Sequence, residues 1–172
     1  GAFYGCAELT EIKIPEGVVA IENQAFLNCS SLSTVRLPES LRLIGEEAFK
    51  KCTALTEITI PSGVVEVGKS AFSGCTSLVK ATLSEGFSNM GEFMFSGCQS
   101  LNDISLPESV TVISDYAFVS CFSLRSIKLP SGLVSIGIGS FWNCAALESI
   151  TLPYGLRTIG ENAFYHFDGL TD

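Results

Sequence analysis

Thiols carry the most versatile side-chain chemistry in this chain, and its seven cysteines follow one another at a constant step of 23 residues. A zinc site would need paired cysteines or histidines, but the sequence has no C-x-x-C pair and only one histidine. If the 23-residue units stack on one another, equivalent cysteines of neighbouring units lie close enough for disulfides. Their side chains, however, run parallel and do not converge. We therefore predict free, buried thiols that serve as small apolar groups. They are Cys6, Cys29, Cys52, Cys75, Cys98, Cys121 and Cys144.

A second chemical motif is a match to the phosphate-binding loop G-x-x-x-x-G-K-S at residues 63–70. In a true phosphate loop the backbone amides face the ligand and the serine hydroxyl reaches magnesium. Here Val64 and Val67 share their positions with apolar residues 23 residues before and after, which predicts burial in a core. We interpret the match as a coincidence of the repeat, with Lys69 and Ser70 peculiar to this one unit.

Other catalytic groups are sparse. His166 is the only histidine, so a histidine-based nucleophile would have to be built near the end of the chain. The carboxylates Glu46, Glu47 and Glu92 occupy positions that we expect to face solvent, with no spacing that indicates an acid–base pair. The sequence therefore predicts no catalytic residues, no metal, no cofactor and no enzymatic activity.

Phenylalanine and leucine recur at the same 23-residue step as cysteine. A fixed repeat of this length identifies a solenoid of stacked units. One unit reads L-x-x-I-x-L-P-x-x-V-x-x-I-G-x-x-A-F-x-x-C-x-x. The L-x-x-I-x-L segment ends in the alternation of a strand, and proline stops it because proline cannot donate a ladder hydrogen bond. The apolar spacing of three and four that follows predicts a short helical or irregular return. Successive strands are expected to stack in parallel about 4.8 Å apart.

This ten-position pattern resembles the BspA-like, or Treponema-type, leucine-rich repeat, and it covers essentially the whole chain. The resemblance implies a right-handed leucine-rich-repeat solenoid with a parallel sheet on its concave face. It also implies a secreted or surface-anchored protein of host-associated microbes, often an adhesin. The asparagine of the familiar leucine-rich pattern is replaced by glycine or serine, for example at Gly17 and Ser40, so no asparagine ladder is expected.

The repeat predicts a single domain over residues 1–172, with about seven and a half units. Gly1 enters in the middle of a unit and no leader or anchor motif is visible, which indicates a piece of a longer protein. Phe167 occupies the place of cysteine in the final unit. We expect it to seal the last coil or to contact a neighbouring segment.

The net charge of the chain limits the classes of partner that it can bind. Eighteen acidic against ten basic residues give a net charge of -8, the wrong sign for binding a nucleic-acid backbone. Residues 129–147 carry no charge, but they contain proline, several glycines and an asparagine and fit the repeat, so we predict no membrane insertion. The expected partner is an extracellular or host protein or glycan, on the strength of the resemblance.

The outward side chains of the predicted strands are the candidate contact surface. We predict a non-enzymatic interaction module, adhesin-like; the alternative is a passive spacer that displays other domains. The strand surface is polar, mixed in sign and free of aromatic anchors, which predicts weak, salt-sensitive binding. Its residues are Glu11, Lys13, Thr34, Arg36, Glu57, Thr59, Lys80, Thr82, Asp103, Ser105, Ser126, Lys128, Ser149 and Thr151.

A further candidate patch follows the recurring phenylalanine. In consecutive units this column holds Val119, Trp142 and Tyr165, where we expect exposure to solvent, and Phe93 and Tyr116 form a similar pair in another column. Contiguous exposed aromatics are uncommon on monomers, so Trp142 and Tyr165 are candidate partner-binding residues. The alternative is that these side chains only cover one another.

The fourth unit departs most from the pattern. Small Ala81 occurs together with large Phe87 and Met94, which predicts volume compensation within one layer of the core. Two further substitutions in this unit are Ser84 in place of proline and Met90 in place of isoleucine.

Overall fold

The structure, a computed structural model, describes residues 1–166 as a stack of coils joined by parallel strands. No helix occurs within these residues. Each ladder pairs residues that are 23 apart in the chain, such as Ile58 with Ala81. The predicted solenoid and its 23-residue unit are therefore confirmed, whereas the helical option for the returns is wrong for this part of the chain.

The first set of strands forms what we call the long-strand face, built from the L-x-x-I-x-L segments. Its strands alternate between outward polar side chains and inward apolar ones, as in Glu57–Ile60, where Ile58 and Ile60 are buried. The strands are β1 (Glu11–Lys13), β3 (Thr34–Arg36), β5 (Glu57–Ile60), β7 (Lys80–Leu83) and β8 (Asp103–Ser105). β1 pairs with β3, and β5 pairs with β7, which pairs with β8.

A second set of two-residue strands lies where the sequence predicted only a return. These strands cover the V-x-x-I segment and place its isoleucine or valine in the core, for example Ile44 and Val67. They are β2 (Ala20–Ile21), β4 (Leu43–Ile44), β6 (Glu66–Val67), β9 (Val112–Ile113), β10 (Ser135–Ile136) and β11 (Thr158–Ile159). They pair in parallel as β2–β4–β6 and as β9–β10–β11.

Around each phenylalanine the backbone forms consecutive turns. Hydrogen bonds from these turns also connect neighbouring coils. Alternate amides bond within the coil and to the next coil: Ala25 donates to Glu22, whereas Phe26 donates to the carbonyl of Ala48. This alternation requires positive φ two residues before and two residues after the phenylalanine, as at Gln24 (58°) and Asn28 (62°). A helix cannot form here because half of the amides point to the neighbouring coil.

The core is a set of columns with one member per coil. The phenylalanine column runs from Phe3 to Phe164, and ring centroids in consecutive coils lie between 5.0 Å (Phe3–Phe26) and 5.7 Å (Phe72–Phe95) apart, with nearly parallel planes. Offset stacking of this kind adds to the burial of the rings themselves. In the fourth unit Ala81, Phe87, Met90 and Met94 are all buried, as the volume-compensation hypothesis requires.

The strand prediction is wrong in the last two units of the long-strand face. Residues 126–128 and 149–151 show the expected alternation, with Ile127 buried between exposed Ser126 and Lys128, but they form no ladder. The coils remain joined there through β9, β10 and β11. Periodicity reports which side chains are buried, and burial persists without strand hydrogen bonds. Phe167, which we expected to seal the last coil or to contact a neighbouring segment, lies outside the described residues.

Candidate functional site

The segment that matches a phosphate loop is part of the scaffold. Val64 and Val67 are buried, and their segment includes β6. The amides of Val65, Gly68 and Ser70 already donate to carbonyls of neighbouring coils, at 2.8–2.9 Å. No amide cradle remains for a phosphate, so the interpretation as a coincidence of the repeat agrees with the geometry.

The cysteine column is a hydrogen-bonded ladder inside the core. Each thiol from Cys29 onward donates to the carbonyl oxygen of the phenylalanine 26 residues earlier, at distances between 3.0 and 3.3 Å. Burial raises the pKa of Cys52 and of Cys144 to about 12, which keeps both thiols protonated and unreactive near neutral pH.

One member of the cysteine column does not follow the prediction. Cys6 is exposed, because it lies in the first coil, whose outer side is not covered by another coil. Phe3, in the same coil, is 40% exposed for the same reason. All seven cysteines are free, as predicted, and within residues 1–166 no group of three or more histidine, cysteine or acidic side chains is arranged to hold a metal ion.

The predicted polar contact residues line shallow grooves on the long-strand face. Glu11, Lys13, Thr34 and Arg36 surround the first groove. Arg36 also borders the second, which continues along the face between β3 and β7. The structure thus brings the first four units together as one continuous polar surface. The second groove is bordered further by Glu57, Thr59, Lys80 and Thr82.

Beyond this region the polar surface continues on β8. After β8 it continues along residues that form no strand ladder. Asp103 and Ser105 follow Lys80 and Thr82 in strand register. In the last two units the side chains line a separate concavity, where coils without strand hydrogen bonds leave space between Lys128 and Pro153. The predicted members of this concavity are Ser126, Lys128, Ser149 and Thr151.

Charges on the long-strand face are partly paired. Lys80 forms an ion pair with Asp103 at 3.1 Å, and both side chains are more than half exposed. Lys13 and Arg36 are register neighbours, and neither forms an ion pair with another residue in the described chain. Lys13 and Arg36 are therefore two adjacent cations of this face that have no ion-pair partner in the described chain.

Four aromatic side chains from consecutive coils form one continuous surface feature, which we call the aromatic ridge: Phe93, Tyr116, Trp142 and Tyr165. Their ring centroids lie 4.7, 6.5 and 5.6 Å apart in that order. The first three rings are half-buried and Tyr165 is 50% exposed. The two candidate columns therefore join at Tyr116 and Trp142, a contact that the sequence analysis missed.

Gly139 is the signal that would have revealed this junction. It occupies the column of Phe93 and Tyr116 in the next coil, and a methyl group there would lie 2.5 Å from Cε1 of Tyr116. Because that position has no side chain, Trp142 from the adjacent column packs toward Tyr116. The expectation of full solvent exposure for the Trp142 column is wrong, since Trp142 is half-buried and Leu27 in the same column is buried.

The remaining titratable groups form structural contacts. Glu47 is bonded to Lys50 and Gln24, and the bond from Lys50 lowers the pKa of Glu47. Glu46 and Glu92 are exposed, and His166 packs edge-on against Tyr165 with ring centroids 4.3 Å apart. Within the described chain no helix is long and apolar enough to cross a bilayer.

The repeat geometry agrees with a known family. The model of the BspA type leucine-rich repeat region, with six copies, matches residues 1–121 and 66–172. The chain belongs to the BspA-type leucine-rich-repeat family. Its cysteine ladder and paired strands thus belong to the repeat scaffold of this family.

Solved structures support the same assignment. A leucine-rich repeat protein from Bacteroides ovatus is 39% identical with a TM-score of 0.88, and the match covers 92% of this chain and 41% of that one. The Treponema pallidum leucine-rich repeat protein is 35% identical with a TM-score of 0.90, over 96% of this chain and 79% of that one. A leucine rich cell surface protein from Faecalibacterium prausnitzii is 27% identical with a TM-score of 0.68, over 99% and 60%. No protein of curated function matches the chain at a significant level.

Proposed function

We propose that this chain is a non-enzymatic interaction module that binds a macromolecular partner through its long-strand face. The observation that carries the proposal is the pair of polar grooves that adjoin at Arg36 and extend from β1 to β7. Lys13 and Arg36 stand there side by side without ion-pair partners in the described chain. A leucine-rich-repeat scaffold presents such a surface rigidly, because neighbouring coils fix each strand.

The partner that we propose is an extracellular or host protein or glycan, contacted at the surface of the cell that makes the whole protein. Support comes from the leucine rich cell surface protein of Faecalibacterium prausnitzii, which this chain resembles. An adhesin-like role is part of the same proposal. The chain spans 41% of the Bacteroides ovatus relative, so the activity of the whole protein is part of this proposal.

Binding on this face should be weak and dependent on salt. The groove has no aromatic anchor, and its charged side chains are exposed, so each contact contributes little and is screened by ions. Multivalent presentation would then raise the apparent affinity. A passive spacer remains the alternative function, since a solenoid also serves as a rigid rod between other domains.

Binding of the purified chain to immobilised extracellular-matrix proteins and cell-surface glycans tests the proposal. We expect a target whose binding weakens between low and high salt and is lost in the Lys13→Ala, Arg36→Ala double variant. The matched control is Lys51→Ala, Arg157→Ala, which removes two exposed cations away from the groove. Retained binding in the groove variant would contradict the proposed surface, and a chain without any target would favour the spacer.

A further inference from the structure

Phe93 and Tyr116 occupy backbone positions that are unusual for aromatic residues. Their φ values are 56° and 55°, in the left-handed region. A bulky residue there is a genuine outlier, whereas glycine and asparagine adopt this conformation readily. In other coils the same column holds smaller or flexible residues, such as Ser70, Gly139 and Asn162.

The core does not require these two rings. Met94 and Ala117, the next residues, fill the interior, whereas Phe93 and Tyr116 remain half-buried at the surface. Their rings stack at 4.7 Å and extend the aromatic ridge to Trp142 and Tyr165. Strained residues that do not serve the interior point to a role at the surface.

Carboxylates precede the first two rings of the ridge in the chain. Glu92 precedes Phe93 and Asp115 precedes Tyr116, whereas Glu161 occupies the same column two coils after Asp115, with Ile138 between them. Asp115 accepts a hydrogen bond from the amide of Ile138 through Oδ1, at 2.7 Å, which holds its side chain in place. The ridge thus combines aromatic faces with fixed negative charge.

One cation already uses this combination. Nζ of Lys69 lies 5.3 Å from the centroid of the Phe93 ring and 3.0 Å from Oε2 of Glu92. An ammonium group over an aromatic face and beside a carboxylate is attracted by both. The next rung of the ridge offers Tyr116 and Asp115, and no lysine or arginine of the described chain forms an ion pair with Asp115.

We propose that the aromatic ridge is a docking site for a basic peptide segment, whose lysine or arginine side chains lie over Tyr116 and Trp142 and face Asp115. We propose a basic peptide because its positive charge complements that of the chain, whose net charge is -8. Lys69 of the chain itself already lies over the Phe93 ring. The site lies apart from the long-strand face and does not depend on the function proposed for it.

Trp142 is the only tryptophan of the chain, so its fluorescence reports directly on the ridge. The experiment is a titration of the full chain with a hexa-arginine peptide, followed by tryptophan emission. We expect a saturable change for the native chain. Tyr116→Gly removes a ring and suits the positive φ, as Gly139 does in the next coil, and should weaken binding about two- to fivefold.

Asp115→Asn removes a charge and keeps the bond to the next coil, since Asn23 caps the amide of Glu46 in the same way at 2.8 Å. We expect a similar two- to fivefold weakening. The matched control is Glu148→Gln, an exposed acid in a long pair with Arg125, which makes the same change in net charge and should bind as the native chain does. The Lys13→Ala, Arg36→Ala variant should also bind normally, which separates this site from the long-strand face.

Three results would overturn the proposal. One is a titration without saturation; another is equal binding by the Asp115→Asn and Glu148→Gln variants. The third is an equal emission change with a neutral oligosaccharide, or with increasing concentration of the chain alone, which would assign the ridge to a glycan or to a second copy.

Discussion

The thiol of Cys75 donates a hydrogen bond to the carbonyl oxygen of Phe49 at 3.2 Å, across the boundary between two coils. The same carbonyl accepts the amide of Cys52 within its own coil. Phe49 therefore links two coils through one oxygen atom, and Cys75 is both a core group and a donor. The spacing of 26 residues is one repeat plus three, which is why this bond recurs along the ladder.

Replacement of Cys75 tests the donor role. Cys75→Ala removes buried sulfur and the bond, and we expect a loss of about 1–3 kcal/mol in the free energy of unfolding. Cys75→Ser should cost less because a hydroxyl still donates, as fully buried Ser140 does to the carbonyl of Ser114 at 3.1 Å. Urea denaturation measures both.

The control for this series is Cys6→Ala, at the exposed end of the same column, which should change stability by less than about 0.5 kcal/mol. Equal stability of the Cys75→Ala and native chains would show that the thiol ladder contributes nothing to the fold.

The thiol ladder also predicts a dependence of stability on alkaline pH. The pKa of Cys52 is raised from 9.0 to about 12 by burial, so the unfolded chain loses this proton first as pH rises. The stability that the protonated thiol provides is fully present below pH 9.0 and is lost between there and about 12. Each such thiol should contribute a slope of about 1.4 kcal/mol per pH unit in that window.

Unfolding in urea at pH 8 to 11, with a reductant present, measures this slope. The Cys52→Ser variant is the comparison, because it removes one titrating thiol and leaves the tyrosines and lysines unchanged. Its curve should be flatter than that of the native chain above pH 9.0, the unshifted pKa of the thiol. Parallel curves for the two proteins would be inconsistent with a protonated, buried Cys52.

The outcome at particular residues shows what periodicity can predict. Val64 and Val67 were assigned to the core from their columns alone, and both are buried. Glu66–Val67 was nevertheless missed as a strand, because a two-residue strand leaves no alternation to detect. Its existence follows from pairing with Leu43–Ile44 in the previous coil, a contact between distant residues.

The candidate surfaces also contain one feature that the sequence predicted and one that it did not. The exposure of Lys13 and Arg36 follows from alternation along a strand, and the sequence predicted it. The contact between Tyr116 and Trp142 was not predicted, because it joins two different columns, and its one signal in the sequence is the missing side chain of Gly139. Side-chain direction across columns is set by local packing, which spacing does not encode.

Ala81 tests volume compensation in the fourth unit. It lies in register between Ile58 and Ile104, and it is 1% exposed. Ala81→Ile should overpack this layer and lower the free energy of unfolding by about 1–3 kcal/mol. If Phe87 fills the space that Ala81 leaves, Phe87→Val should relieve the strain.

A double-mutant cycle in urea separates the two effects. We expect the Ala81→Ile, Phe87→Val chain to be more stable than the sum of the single changes by at least about 0.5 kcal/mol. Additive effects would mean that the two side chains are independent, and an unchanged or raised stability of Ala81→Ile would reject compensation altogether.

Gly139 and Gly97 form a matched pair for the geometry of the aromatic ridge. Both have positive φ, 55° and 69°, so alanine at either position should cost about 1–2 kcal/mol of backbone strain. At Gly97 the nearest atoms lie 3.9 Å from the added methyl group, whereas at Gly139 the Tyr116 ring lies 2.5 Å away. Gly139→Ala should therefore cost about 0.5–1.5 kcal/mol more than Gly97→Ala, since the ring must leave its stack with Phe93.

The extra cost should disappear when Tyr116 is already glycine. In the Tyr116→Gly background, the methyl group of Gly139→Ala meets Cε3 of Trp142, at 3.5 Å, which is an ordinary contact. Its effect on the free energy of unfolding should therefore fall to the value measured for Gly97→Ala. Trp142 emission gives a second measure, since displacement of Tyr116 changes the surroundings of the indole. Equal costs at Gly139 and Gly97 in the native background, with unchanged emission, would show that Tyr116 moves aside freely and that the ridge is not a packed unit.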